Sequence, residues 1–180
     1  MRYVIVDLEA TCWMKRTEPQ RMEIIEIGSV LLTSSTGPIR KEFSAFVRPI
    51  IEPTLSAFCM GLTGIRQQEV DKADDFSKVF STFLDWIGPK PFRLCSWSTF
   101  DLNQLKTHCA RHGLPFPSQF SNHINLKREF ARLEGVAPCG VKRALAMCRL
   151  PVEGRPHRAL DDARNIARLA LKRILPRISA

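Results

Sequence analysis

"VIVDLEATCW", residues 4–13, decides how this chain is read: Val4, Ile5 and Val6 mark a buried strand, yet Asp7 and Glu9 follow at once. A strand points alternate side chains to opposite faces, so residues 7 and 9 share a face with their carboxylates close together. Like charges that close repel, and the arrangement costs free energy unless a proton or a cation lies between them. The reason for the pair has to come from elsewhere in the chain.

Downstream of this stretch, hydrophobic periodicity and turn residues set the expected elements. Residues 2–7 read as the first strand, 22–33 as the second, and 40–49 as a third that closes an antiparallel meander after a turn at 35–39. Residues 50–65 mix prolines and glycines with apolar side chains and read as an irregular, partly helical excursion. Residues 74–88 place Phe76, Val79, Phe80, Phe83, Leu84 and Ile87 at helical spacing, with acids at the start and Gly88 at the end. A short strand at 91–97, a helix at 101–113 closed by Gly113 and a fifth strand within 122–126 come next. Short helices at 127–135 and 140–148 and a long amphipathic one at 158–175 complete the chain. The order β-β-β-α-β-α-β-α with a final helix indicates an α/β or α+β layer arrangement around one mixed sheet, in a single domain over residues 1–180.

No apolar run approaches the roughly 20 residues of a membrane span, and the N-terminus lacks the zones of a signal peptide. The expectation is a soluble cytoplasmic protein without a membrane partner. Cys12, Cys59, Cys95, Cys109, Cys139 and Cys148 form no C-x-x-C pair, which points to free thiols rather than a zinc site or a disulfide framework. The 27 basic against 18 acidic residues give a net charge of +9, and that excess suits a polyanionic partner.

Carboxylates meet structural junctions in three places: Asp7 and Glu9 on the first strand, Asp101 where the fourth strand gives way to a helix, and "HRALDD" entering the last helix. A single acid at a helix start is ordinarily a cap or a partner of the helix dipole. Three such segments with a histidine beside the last could instead form an oxygen-rich pocket for hard divalent cations.

"DLEAT" at 7–11, "WSTFDLNQL" at 97–105 and "HRALDDA" at 157–163 resemble the three motifs of the DnaQ-like, or DEDDh, 3′ to 5′ exonucleases. The spacing from His157 to Asp162 fits, as do "IIEIGSV" at 24–30 and "FCMGLTGI" at 58–65; the wording is most similar to the Eri-like and KapD-type exoribonuclease branch. The resemblance implies an RNase H-like fold, a five-stranded mixed sheet flanked by helices. It also implies two Mg²⁺ or Mn²⁺ ions, one held by Asp7, Glu9 and Asp162 and the other by Asp7 and Asp101. Two such cations about 3.5–4 Å apart acidify an attacking water and stabilise both the entering and the leaving oxygen of a phosphodiester. His157 would be the general base, since an imidazole near neutrality can take a proton from that water. Register against the family pattern picks Asp162 rather than Asp161 as the ligand.

By the same resemblance, Ala10, Thr11, Leu62 and Thr63 would grip the terminal nucleotide, Thr11 near the sugar and Leu62 against the base. Core packing competes for Leu62. Phe100 could stack on a base or pack on the neighbouring helix. Trp13, Lys15, Arg16 and Arg21 read as a solvated loop, with lining the strand's approach as the alternative. His108, His112 and His123 match no motif, and the basic run of the last helix, Arg158, Arg164, Arg168, Lys172, Arg173 and Arg177, reads as a solvated face. The expected activity is hydrolysis of single-stranded RNA or DNA from the 3′ end, RNA ahead of DNA, with nucleoside monophosphate as product. The competing class is a non-catalytic nucleic-acid-binding or partner-recruiting module on a nuclease fold.

Overall fold

The computed structural model describes residues 1–15 and 19–178. Five strands form one mixed sheet in the order β3-β2-β1-β4-β5: β1 (Arg2–Ala10), β2 (Ile24–Leu32), β3 (Ile39–Phe46), β4 (Phe92–Ser96) and β5 (Ile124–Asn125). The β1–β2 and β2–β3 pairs are antiparallel, as the meander reading expected, while β4 pairs parallel with β1 and with β5. The central strand is therefore β1, the one that carries the two acids.

Alternation along β1 divides the core in two. Tyr3 and Ile5 point to the face covered by the C-terminal helices, where Phe130, Ile166 and Ile174 are buried with them. Val4, Val6 and Leu8 point to the opposite face and pack against Phe76, Phe80, Phe83 and Leu105. Those residues belong to α3 (Phe76–Ile87) and α4 (Thr99–Arg111). Asp75 caps α3 by accepting from the Lys78 amide at 3.0 Å, and each buried phenylalanine of this helix contributes about 1.5–3 kcal/mol.

The excursion after β3 holds two short helices, α1 (Ala57–Thr63) and α2 (Gln67–Asp71). The Ser56 hydroxyl donates to the Cys12 carbonyl at 2.6 Å, which docks the start of α1 on the chain leaving β1. On the other face lie α5 (Leu126–Glu134), α6 (Val141–Met147) and α7 (Ala159–Leu169). From α7 the chain runs through a π-helical stretch, Ala170–Ile174, into α8 (Leu175–Ile178), beyond the expected end at 175. The N-terminus of α7 rests directly on β2: a Cβ at Gly28 would lie 2.0 Å from the Ala159 carbonyl carbon. Only glycine permits that approach. Among the described residues no helix is long and apolar enough to cross a membrane.

Candidate active site

Because β1 runs on to Ala10, Asp7 and Glu9 lie on its C-terminal half, on the same face as Tyr3 and Ile5. Ser98 caps α4, its hydroxyl accepting from the Phe100 amide, so that Asp101 falls in the first helical turn with its side chain buried. One Asp101 carboxylate oxygen accepts from the Leu8 amide at 3.2 Å, which ties this turn to β1 between the other two acids. Asp162 lies in the first turn of α7, and ligand atoms of Glu9, His157 and Asp162 all fall within 4.8 Å of one another. A cleft of about 620 Å³ takes in Asp7, Glu9, Asp101, His157 and Asp162. The five residues expected to do chemistry are thus brought together from three segments.

Burial first, and then charge repulsion, act on the acids of the cluster. Burial, then Asp101 and Glu9, push the Asp7 carboxyl well above the carboxylate range. Glu9 is pushed up to about 8 by burial and by Asp162 and Glu26. Burial raises Asp101 to about 6 against the pull of hydrogen bonds from backbone amides, and raises Asp162 against the His157 amide and charge. Hard oxygen donors crowded in this way fit a divalent cation, which would compensate charges that the protein leaves unbalanced. The donor set, carboxylates with one imidazole, suits Mg²⁺ or Mn²⁺ better than a soft metal.

His157 reaches the cluster by an uncommon backbone. Its φ is +60°, in the left-handed region, which costs a residue with a Cβ about 1–2 kcal/mol. The His157 amide donates to Asp162 Oδ2 at 2.8 Å. Neighbouring parts of the loop are also fastened to α7: the Arg155 amide donates to Asp161 at 2.9 Å, and the Glu153 amide donates to Asn165 at 3.1 Å. Asp161 accepts from Arg164 as well, at 2.9 Å, and so serves the first turn of the helix.

Of the expected nucleotide contacts, Phe100 lines the cleft and is 36% exposed. Leu62 is 37% exposed on α1. Ala10 and Thr11 are buried at the end of β1, where the Thr11 hydroxyl accepts from the Glu23 amide at 2.9 Å. The Thr63 hydroxyl donates to the Cys59 carbonyl at 2.9 Å and accepts from the Ile65 amide at 3.1 Å. Both threonine hydroxyls therefore serve the fold, and Ala10, Thr11, Leu62 and Thr63 are not among the residues that line the cleft. Arg21 pairs with Glu52 at 2.7 Å, while Arg16 lies outside the described residues.

His108 is structural: Nε2 accepts from the Ile24 amide and Nδ1 faces the Gln104 carbonyl, each at 2.9 Å, and burial pushes it down to about 4. His112 and His108 both pack on the Phe76 ring, and His123 bonds the Ser96 hydroxyl at 2.8 Å. The basic run of the last helix is solvated in part, Lys172 and Arg177 being exposed, but its arginines are paired with acids. Arg158 pairs with Glu26, Arg164 with Glu42, Arg168 with Glu153, and Arg173 and Arg177 with Glu134. Glu26 lies in none of the three motifs, yet a carboxylate in the middle of a nine-residue strand with every residue buried is a signal that it has a partner.

Comparison with known proteins gives the same picture. The exonuclease (RNase_T) family matches residues 4–170. Human "ERI1 exoribonuclease 2" is 35% identical over 95% of this chain, and the Drosophila melanogaster "3′-5′ exonuclease Snipper" is 32% identical over 96% of it. The chain spans 28% of the human relative's length and 69% of the fly protein's. The solved nuclease domain of 3′hExo, a DEDDh family member bound to rAMP, is 34% identical, with a TM-score of 0.89 over 95% of this chain and 90% of that one. With a family match over residues 4–170, a shared RNase H-like sheet and the acids and histidine in one cleft, the chain belongs to the exonuclease (RNase_T) family, in its DEDDh group.

Proposed function

We propose that residues 1–180 act as one exonuclease domain that shortens single-stranded nucleic acid, RNA ahead of DNA, from the 3′ end and releases nucleoside 5′-monophosphates. The observation that carries this reading is the convergence of Glu9, His157 and Asp162 within 4.8 Å, in a cleft that also holds Asp7 and Asp101. The preference for RNA follows the exoribonuclease relatives and the rAMP bound to the similar 3′hExo domain.

Two Mg²⁺ or Mn²⁺ ions, one on Asp7, Glu9 and Asp162 and one on Asp7 and Asp101, would supply Lewis-acid activation of water and of the phosphate oxygens. His157 takes a proton from the attacking water on its imidazole. The water oxygen bonds to phosphorus, the bond from phosphorus to the 3′ oxygen of the preceding nucleotide breaks, and solvent protonates that oxygen. Phe100, which lines the cleft, and Leu62, exposed on α1, hold the terminal base without selecting its identity. Ala10, Thr11 and Thr63 shape the sugar pocket through the backbone they fix. Six thiols unpaired with one another suit a reducing, cytoplasmic setting.

The test is digestion of 5′-labelled single-stranded RNA and DNA with Mg²⁺, Mn²⁺ or EDTA, comparing wild type with Asp7→Ala. A ladder shrinking from the 3′ end, absent in EDTA and slowed at least 100-fold in the variant, is expected. Oligonucleotides left intact under every metal condition would favour the non-catalytic binding module.

A further inference from the structure

Glu26 and Arg158, both outside the catalytic set, meet at the entry to α7, directly after His157. Glu26 is 1% exposed, and on β2 it stands directly opposite Glu9. Its carboxylate accepts from the Ala159 amide at 3.0 Å, at the first turn of α7. It also accepts from Arg158 twice, Nε to Oε2 at 3.2 Å and Nη2 to Oε1 at 3.0 Å. The Arg158 guanidinium lies 5.3 Å from the centre of the Phe46 ring, on the strand beyond. Two residues along β2 on the same face, Gly28 leaves the space in which the backbone of Ala159 and Leu160 rests. Glu26 and Gly28 are thus a seat: one accepts the first amide of the helix and the other lets its backbone touch the sheet. Arg158 locks the helix into the seat, and His157 is its covalent neighbour.

A left-handed histidine relaxes unless the residues on both sides of it are held. On one side the loop backbone is fastened to Asp161 and Asp162. On the other, the Arg158 side chain is held by its ion pair with Glu26 and lies over the Phe46 ring.

We propose that Glu26 and Arg158 are positioning residues for the nuclease reaction: their ion pair fixes the entry to α7 and thereby holds His157 in the left-handed conformation that brings its imidazole to Glu9 and Asp162. Neither residue lines the cleft. Arg158 also matches the chemistry of the place, since a bidentate guanidinium neutralises a buried carboxylate that would otherwise be a further uncompensated charge beside Glu9.

The kinetic part of the test rests on the exonuclease reading; the exchange part does not. Glu26→Gln, Arg158→Ala and Arg158→Lys are compared with wild type in full-length protein, at a temperature at which thermal melts show each to be folded. Single-turnover digestion of 5′-labelled RNA in Mg²⁺ is expected to slow 10- to 100-fold in Arg158→Ala, and binding of the same RNA in EDTA to change less than about 2-fold. Arg158→Lys should recover part of the rate, because one charged donor remains. Combining Glu26→Gln with Arg158→Ala should be no worse than the worse single change. Amide hydrogen exchange at His157 is expected to quicken at least about 10-fold in Arg158→Ala, while the β1 amides of Val4 and Ile5 stay protected. A folded Arg158→Ala protein that keeps wild-type turnover, or whose His157 amide is as protected as before, overturns the proposal. If wild type digests no RNA, the nuclease reading fails, and the His157 exchange alone decides the positioning role.

Discussion

Glu9 faces Glu26 across the β1–β2 ladder and has Asp162 within reach, with 8% of its surface open to water. In the metal-free protein its folded pKa is about 8, above its ordinary value. An acid raised in this way binds more protons when folded than when unfolded between those two pH values, so the folded state loses stability as pH rises through the window. Thermal melts in EDTA should therefore give a higher Tm near pH 5 than near pH 8, and Glu9→Gln should flatten the difference. Each kcal/mol recovered corresponds to about 2–4 °C in a protein of this size. Mg²⁺ should raise Tm more at pH 8 than at pH 5. A metal-free Tm that rises from pH 5 to pH 8 in wild type but not in the variant would contradict the assigned electrostatics. Asp7 and Glu9 were legible in the sequence because strand alternation alone puts them together. The partner of Glu26 was not, because Arg158 is 132 residues away and nothing local joins them.

At the scale of elements, the sequence placed every strand and most helices, and the differences have local causes. β1 extends to Ala10 because that residue still pairs with Ile24. α4 begins at Thr99 because the Ser98 hydroxyl caps it, two residues before the acid that seemed to start it. The last helix outruns its expected end because the π-helical stretch keeps Ile174 and Leu175 buried. The contact of α7 with β2 was hidden altogether, since a glycine in a strand signals close approach without saying of what. Gly28→Ala tests it. Its methyl would overlap the Ala159 backbone, which cannot swing aside as a side chain would, so a loss of about 3 kcal/mol is expected. Chemical denaturation measures that loss, and a change below about 0.5 kcal/mol would mean that α7 can lift off the strand.

Across the whole molecule, a cleft full of carboxylates is set in a protein with a net charge of +9. The surrounding positive field favours an anionic polymer, while the cleft itself repels it until cations are present. Lys142, exposed in the first turn of α6, is the lysine that lines the cleft. Loss of one phosphate contact lowers the slope of log affinity against log salt by about 0.7 for a single strand. RNA binding by Asp7→Ala protein, titrated with salt, should show that reduction on adding Lys142→Ala. An unchanged slope would place the strand's path elsewhere. The sheet order has a further consequence for synthesis. Asp7 and Glu9 belong to the first strand made, whereas His157 and Asp162 arrive with a helix that must still find its place on β2. A nascent chain still short of that helix carries the acids of β1 without the histidine and the last carboxylate, so the cluster is complete only once α7 has been made and has settled on the sheet.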